Sequence, residues 1–182
     1  MQTNLQSLAT ELQTTDRTLR RAVTQGLFRA ERPSPRKLDI SLAERVYLRR
    51  SWALLSSLRE AMRTEPNVSF AALFGSRARG VEDDASDVDL LVALRKGADR
   101  WVLADRLSER VGADVQIVDL DDAFAAPLLL AEAVREGRVL VDRDALWPSL
   151  TRRLPQIERD AASERDRIAD EFERAFGAGG RA

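Results

Sequence analysis

The sequence predicts an α+β fold, in which a small mixed β-sheet is flanked by helices and follows a (winged) helix-turn-helix. From about residue 66 onward, short apolar runs of strand length alternate with segments of helical periodicity. The first 65 residues hold 12 Lys or Arg and 7 Asp or Glu, whereas the remainder holds 17 and 23. A shift from a basic to an acidic composition indicates modules with different partners.

The N-terminal module, residues 1–65, has the pattern of helix, turn and helix. Thr14 or Thr15 is the expected N-cap of the second helix, and Gly26 is expected to end it. Pro33 and Pro35 should break regular structure beyond that point and leave a wing or a short arm. The apolar face of the first helix is predicted from residues at helical spacing, namely Leu5, Leu8, Ala9 and Leu12.

Basic residues on and after the second helix predict a DNA-binding surface. In helix-turn-helix motifs the second helix enters the major groove, and flanking basic residues hold phosphates. A small helical bundle with solvated arginines and a clamp for a protein partner are the alternatives. A two-fold dimer on a palindromic operator is compatible with such a motif. The expected DNA-binding residues are Arg17, Thr18, Arg20, Arg21, Arg36 and Lys37.

Three regions are predicted along the chain. A long amphipathic helix over residues 41–63 closes the first region, and Pro66 marks the boundary with the second, residues 66–143. The third, residues 144–182, is a charged helical tail that Pro148 and Pro155 should interrupt. The predicted strands of the second region cover residues 68–74, 86–94, 114–120 and 138–142, with a helix over residues 99–111.

Two carboxylates at the start of the second predicted strand indicate a metal site. Asp87 and Asp89 are two residues apart and should share one face of the strand, while Val88 and Leu90 point into the core. Two like charges this close are costly unless a cation lies between them. Mg²⁺ is commonly held by a few carboxylates together with substrate phosphates. The pair therefore predicts a site for Mg²⁺ and a nucleoside triphosphate.

The FGSRARG segment, residues 74–80, supplies the expected phosphate-binding half of this site. Gly75 lets the backbone pass close to a phosphate, and Ser76 opens a short helix whose N-terminus attracts phosphate oxygens. Arg77 and Arg79 add positive charge. An Asp-X-Asp at a strand start is by itself more often a solvated strand end. Its combination with Gly-Ser at short spacing favours a nucleotide site.

GSRARG followed by SDVDLLV resembles the signature of the nucleotidyltransferase superfamily that includes DNA polymerase beta, especially its branch of minimal nucleotidyltransferases. The resemblance covers roughly residues 67–142. It implies ATP as nucleotide donor, two Mg²⁺ ions and a third acidic residue on a later strand. Asp114 fits that third position and Asp119 competes with it. By this resemblance the catalytic and metal-binding residues are Asp87, Asp89 and Asp114, and the nucleotide-binding residues are Gly75, Ser76, Arg77 and Arg79.

Minimal nucleotidyltransferases often serve as the antitoxin of a toxin–antitoxin pair, and some transfer AMP from ATP onto a hydroxyl of the toxin. A DNA-binding module favours this role, because antitoxins commonly repress their own operon. The resemblance thus implies a protein nucleotidyltransferase whose partner is a toxin encoded nearby. One alternative is a DNA-binding regulator with a catalytically silent nucleotidyltransferase fold. The other is an antibiotic nucleotidyltransferase, which the acidic stretch of residues 82–84 keeps open.

Composition excludes several kinds of chemistry. The chain has no cysteine and no histidine, so disulfides, thiolate metal sites, histidine-ligated zinc and Ser-His-Asp triads are excluded. A protein general base must then be a carboxylate. No apolar run is long enough to cross a membrane, and the first residues lack the pattern of a signal peptide. These features predict a cytoplasmic enzyme.

Overall fold

The structure, a computed structural model, describes residues 5–34, 37–81 and 86–176 of the chain. Arg36 of the predicted DNA-binding set, Pro35 and the acidic stretch of residues 82–84 lie outside the described residues. The helices of the described part are α1 (Leu5–Glu11), α2 (Asp16–Thr24), α3 (Leu42–Thr64), α4 (Gly75–Arg79), α5 (Arg100–Val111), α6 (Leu120–Phe124), α7 (Pro127–Glu136) and α8 (Leu146–Phe176). Its strands are β1 (Glu31–Ser34), β2 (Lys37–Asp39), β3 (Val68–Phe74), β4 (Val88–Leu94), β5 (Val115–Asp119) and β6 (Arg138–Asp142).

The larger sheet has the strand order β5-β4-β3-β6. Strand β3 pairs antiparallel with both β4 and β6, whereas β4 and β5 are parallel. A parallel pair needs a crossover connection, and α5 provides it between β4 and β5. The predicted α+β fold with a small mixed sheet is confirmed.

Side chains of β3 alternate between two layers of the core. Ala71 and Leu73 pack with the layer to which α1, α2, α3 and α5 contribute. Phe70, Ala72 and Phe74 pack with the layer formed with α6, α7 and α8. Every residue of β3 is buried, because helices cover both faces of the sheet at this strand.

The N-terminal segment forms two short helices followed by the β1–β2 hairpin. Thr15 caps α2 as predicted, because its side chain accepts a hydrogen bond from the Thr18 backbone N–H at 3.1 Å. The prediction that Pro33 breaks regular structure is wrong, since Pro33 lies within β1. This strand belongs to an exposed two-stranded ribbon, where a residue without an N–H is tolerated at an edge.

The N-terminal segment docks on β6, the edge strand of the larger sheet. The Val139 backbone N–H donates to the Gly26 carbonyl at 3.0 Å. Beneath this contact Arg138 of β6 and Glu44 of α3 form a buried ion pair at 2.5 Å. Glu44 also accepts a hydrogen bond from the Arg29 backbone N–H. Residues far apart in sequence thus join the two parts of the chain.

The C-terminal helix α8 is continuous through Pro155, so the predicted interruption is wrong. Proline removes one helical hydrogen bond, at a cost of about 3 kcal/mol. Leu150, Ile157 and Ala161 are buried in the core layer beneath α7, and this packing on both sides of the proline offsets the loss. Among the described residues, no helix is both long enough and apolar enough to cross a membrane.

Candidate active site

Asp87 and Asp89 lie at the start of β4. Asp89 is opposite Phe74 of β3 and Gln116 of β5, and Asp87 directly precedes the strand. The intervening Val88 is fully buried, and its N–H donates to the Asp114 carbonyl at 2.8 Å. Because side chains alternate along a strand, the two carboxylates lie on the face opposite to Val88.

Gly75 brings the turn after β3 against the Asp89 carboxylate. Its φ is +71°, in the left-handed region. A Cβ atom at this position would lie 2.5 Å from Asp89 Oδ2. A side chain is therefore disfavoured twice, by backbone strain and by contact with the Asp89 carboxylate, which would have to shift. The close approach places the Gly-Ser turn and the Asp-X-Asp pair in one site.

The electrostatics of Asp89 favour a bound cation. Burial raises the pKa of the Asp89 carboxyl, the negative charges of Asp87 and Glu132 raise that pKa further, and Arg79 opposes them. A divalent cation between the carboxylates would relieve the same repulsion. Two carboxylates together with substrate phosphates are a donor set that suits Mg²⁺. The residues present therefore fit the implied metal.

Asp114 is exposed and precedes β5 by one residue, two residues before Gln116 and level with Asp87 in the parallel register. Among residues 5–34, 37–81 and 86–176, no group of three or more acidic side chains is placed to hold a metal ion. Asp119, the competing candidate, accepts a hydrogen bond from the Asp121 N–H and caps α6. Neither residue forms a three-carboxylate cage with Asp87 and Asp89 in this structure.

Gln116 is a site residue that the sequence analysis missed. Its Nε2 donates to Asp87 Oδ2 at 2.5 Å, and its Cα is paired with that of Asp89 across the parallel strands. The sequence does contain one indication of this role, because Gln116 is two residues after Asp114 on a predicted strand and should share its face. Only the register of β5 against β4 shows that Gln116, and not Asp114, is paired with Asp89.

Both predicted nucleotide-binding arginines have protein partners. Arg77 donates through Nε and Nη2 to the Ser86 carbonyl, at 2.9 and 2.6 Å, and through Nε to the Asp87 carbonyl at 3.2 Å. It therefore fixes the backbone that leads into β4. Arg79 instead pairs with Glu132 and Glu136 of α7, at 2.7 and 2.6 Å. Ser76 is half-buried in the first turn of α4.

Helix α3 contacts the end of α4 through the Tyr47 ring. Gly80 has a φ of +75°, and a Cβ atom there would lie 2.9 Å from the Tyr47 ring. The Arg138 guanidinium lies 3.5 Å from the centre of the same ring and donates to the Ala78 carbonyl at 2.7 Å. The Arg138–Glu44 pair thereby connects the turn after β3 to the N-terminal half of the chain.

The predicted DNA-binding residues separate into groups. Arg17, Thr18 and Arg21 line a groove between α2, α3 and the end of β6. Arg20 is paired with Asp16 on its own helix, and Lys37 is exposed on β2. Arg17, Arg21 and Lys37 are exposed, whereas Thr18 and Arg20 are half-buried.

A comparison with protein families identifies the family of the chain. Residues 56–146 match the family described as polymerase beta, nucleotidyltransferase. The chain belongs to this nucleotidyltransferase family. The match includes β3, α4, β4 and β5, which carry the site described above.

A curated protein is also similar to the chain. The chain is 33% identical over 78 residues to protein adenylyltransferase MntA of Shewanella oneidensis. That match covers 41% of this chain and 55% of the relative, so the chain spans about half of that relative's length.

Solved structures have the same fold. A toxin–antitoxin crystal structure with AMP-PNP has a TM-score of 0.53 at 25% identity and covers 65% of this chain and 97% of the solved chain. A mutant of the toxin–antitoxin MntA-HpeT has a TM-score of 0.52 at 26% identity, with 64% and 95% covered. The fold of these solved chains is therefore shared by about two thirds of this chain.

Proposed function

We propose that this chain is a Mg²⁺-dependent protein nucleotidyltransferase that moves AMP from ATP onto a hydroxyl group of a protein partner. The new bond joins the hydroxyl oxygen to the α-phosphorus, the α–β phosphoanhydride bond breaks, and pyrophosphate leaves. The observation that carries the proposal is the contact between the Gly75 turn and Asp89, with Asp87 on the same face of β4. The similarity to a protein adenylyltransferase supports AMP as the transferred group. The similarity to toxin–antitoxin structures, one with AMP-PNP, supports an antitoxin whose partner is a toxin encoded nearby.

Asp87 and Asp89 are the residues that would hold Mg²⁺, which when bound supplies positive charge for the triphosphate and for the attacking oxygen. Gln116 keeps the Asp87 carboxylate in place, and Arg77 fixes the backbone before it. A carboxylate is the expected base for the target hydroxyl, because the chain has no histidine or cysteine and the candidate site is rich in aspartate. We assign that role to Asp114, which is exposed and precedes β5 as Asp87 precedes β4.

The phosphates of ATP are assigned to the turn after β3. Gly75 leaves room for a phosphate beside the Asp89 carboxylate, and Ser76 offers its hydroxyl and backbone N–H. Arg79 reaches the triphosphate only by leaving Glu132 and Glu136. Because the Arg79 pairs are partly exposed, and such ion pairs contribute about 1 kcal/mol or less, the exchange for phosphate costs little free energy. Because ATP is the proposed donor, we expect the reaction to take place in the cytoplasm.

The N-terminal segment is assigned to operator DNA. Helix α2 presents Arg17, Thr18 and Arg21, and the hairpin presents Lys37. Arg20 can join them, because its ion pair with Asp16 is exposed and weak. A homodimer on a palindromic operator would let the antitoxin repress its own operon. Binding of labelled promoter DNA in a gel-shift assay, weakened by Arg17→Ala, would support this assignment.

The test of the enzymatic proposal is a transfer assay with each of the four α-labelled nucleoside triphosphates and Mg²⁺. The reactions contain the product of the neighbouring gene, an aminoglycoside, or neither acceptor. Label from ATP on the neighbouring protein alone supports the proposal. Label on the aminoglycoside supports an antibiotic nucleotidyltransferase instead. Promoter binding without transfer to any acceptor supports a regulator with a silent catalytic fold.

A further inference from the structure

A large groove lies on the side of the molecule away from Asp87 and Asp89. Its volume is about 860 Å³, and its walls are α2, the second half of α3, the end of β6 and the start of α8. In the β3–β6 register, Arg138 is opposite Leu73 and Asp142 is opposite Phe70. The groove follows residues 139–143, which run away from the catalytic end of β3. It therefore shares no residue with the proposed active site.

The groove concentrates positive charge on four arginines that form no ion pair with a described residue. In the described part of the chain, Arg17, Arg21, Arg59 and Arg63 line it without forming an ion pair with an acidic residue. A fifth lining arginine, Arg143, donates to backbone carbonyls at the end of α3 and beyond. Four guanidinium groups therefore line one concave surface, and no acidic side chain of residues 5–34, 37–81 and 86–176 is paired with them.

The acidic residues of the groove wall are already engaged elsewhere. Glu60 pairs with Arg110 at 3.0 Å. Asp142 accepts hydrogen bonds from the Leu146 and Trp147 N–H groups, at 2.8 and 3.0 Å, and so caps α8. Neither carboxylate is used to offset the four arginines. Among the described residues, no other acidic side chain lines the groove, so an external anion is a candidate source of compensating charge.

Arg59 is the least exposed arginine of the groove. It is half-buried, and its Nη2 donates to the neutral Gln25 side chain. Burial lowers the pKa of Arg59, and the positive charges of Arg63 and Arg21 lower that pKa further. A guanidinium held in this way is poised for a phosphate oxygen, which accepts its paired N–H groups in a charge-assisted fork.

Two aromatic side chains complete the groove. Trp52 and Trp147 both line it and are half-buried, and Trp147 is stacked on Phe70 with ring centres 6.1 Å apart. Arginines beside aromatic rings are the combination that binds nucleotides and single strands, through phosphates and stacked bases. The volume is also within the usual range for small-molecule sites.

We propose that this groove is a second ligand site, which binds consecutive phosphate groups carried by nucleosides through Arg59 and Arg63 of α3 together with Arg17 and Arg21 of α2. Such phosphates occur in a free nucleoside triphosphate and in a nucleic-acid strand. The site extends beyond the helix-turn-helix segment, because Arg59 and Arg63 belong to α3. It does not depend on nucleotidyl transfer at Asp89.

Tryptophan fluorescence reports directly on this groove. The chain has three tryptophans, and Trp101 is exposed on α5 away from the groove. In Trp101→Phe protein the signal comes from Trp52 and Trp147 alone. Titration with tripolyphosphate should give a saturable change in fluorescence. ATP and a short single-stranded oligonucleotide are then each tested as competitors of tripolyphosphate. The competitor that binds more tightly identifies the source of the phosphates.

Arg59→Gln/Arg63→Gln should weaken tripolyphosphate binding about tenfold or more, because two charge-assisted contacts are lost. Arg165→Gln/Arg174→Gln removes the same charge from the exposed surface of α8 and should leave binding unchanged. Arg63→Gln alone, at an exposed position, provides the test if the double variant does not fold. Melting curves establish that each variant is folded.

Three results would overturn the proposal. They are an absent or non-saturable fluorescence change, equal loss of binding in the two double variants, and failure of both ATP and the oligonucleotide to displace tripolyphosphate. Asp89→Asn separates this site from the active site. That variant should lose nucleotidyl transfer and keep the tripolyphosphate titration, and loss of the titration would contradict a site in the groove that is separate from Asp89.

Discussion

Gln116 donates its side-chain amide to Asp87 at 2.5 Å while its backbone is paired with that of Asp89. One uncharged residue of β5 thus contacts one carboxylate of the proposed metal pair and lies beside the other. It orients the pair without adding a third negative charge to a site where Asp89 already has a raised pKa. We therefore propose that Gln116 is a positioning residue, which acts on a bound metal through the Asp87 carboxylate.

Gln116→Ala should raise the Mg²⁺ concentration needed for half-maximal transfer by about tenfold to a hundredfold, because an orienting partner of a ligand is lost. The measurement is the transfer rate over a Mg²⁺ titration. Gln156→Ala is the control, since Gln156 makes a comparable hydrogen bond to Asp160 on the surface of α8. An unchanged Mg²⁺ dependence in Gln116→Ala would contradict the positioning role.

Gly75→Ala should destabilise the protein by about 1–2 kcal/mol and also reduce transfer by about a hundredfold or more. The added Cβ meets Asp89 Oδ2 at 2.5 Å and must displace the carboxylate. Gly97→Ala is a matched control, with a φ of +87° and no atom within 4 Å of the added Cβ. Denaturation and transfer assays on both variants should show similar instability but lost activity only at Gly75.

Asp114→Asn should lower the transfer rate by about 10²–10⁴-fold if this carboxylate deprotonates the target hydroxyl. Asp119→Ala should instead cost about 1 kcal/mol of stability, because it removes the N-cap of α6. Rates at saturating Mg²⁺ and denaturation curves separate the two effects. A full rate in Asp114→Asn would remove it from the mechanism.

Glu44→Ala should destabilise the protein by about 3–5 kcal/mol, because it leaves the buried Arg138 guanidinium without its counter-charge. Glu171→Ala breaks an exposed pair with Arg167 and should cost less than about 1 kcal/mol. Urea denaturation measures both values. Similar small losses in the two variants would show that the Arg138–Glu44 pair does not hold the N-terminal segment to the sheet.

Much of the sheet is predictable from the sequence because its strands are short apolar runs with clear ends. Strands β3 and β6 match the predicted ranges, and β4 and β5 differ from them by one or two residues at their ends. The predictions that Pro33 and Pro155 break regular structure are wrong for one reason. The sequence shows the local cost of a proline, but it does not show the exposed ribbon that tolerates Pro33 or the packing of α8 that tolerates Pro155.

The candidate site is only partly predictable for a related reason. Asp87, Asp89 and Gly75 are near one another in sequence, so local geometry brings them together. The place of Gln116 depends on the register of two strands joined by a crossover, and the Arg138–Glu44 pair joins residues 94 positions apart. Periodicity within one element carries no information about such contacts.

The most direct test of the proposed active site is the transfer of AMP from α-labelled ATP to the neighbouring protein by wild-type protein and by Asp89→Asn. Asp105→Asn, an equal change on the exposed face of α5, is the control. We predict wild-type transfer in Asp105→Asn and only background in Asp89→Asn, with all three proteins folded. Transfer by Asp89→Asn at the wild-type rate would contradict the assignment of this site.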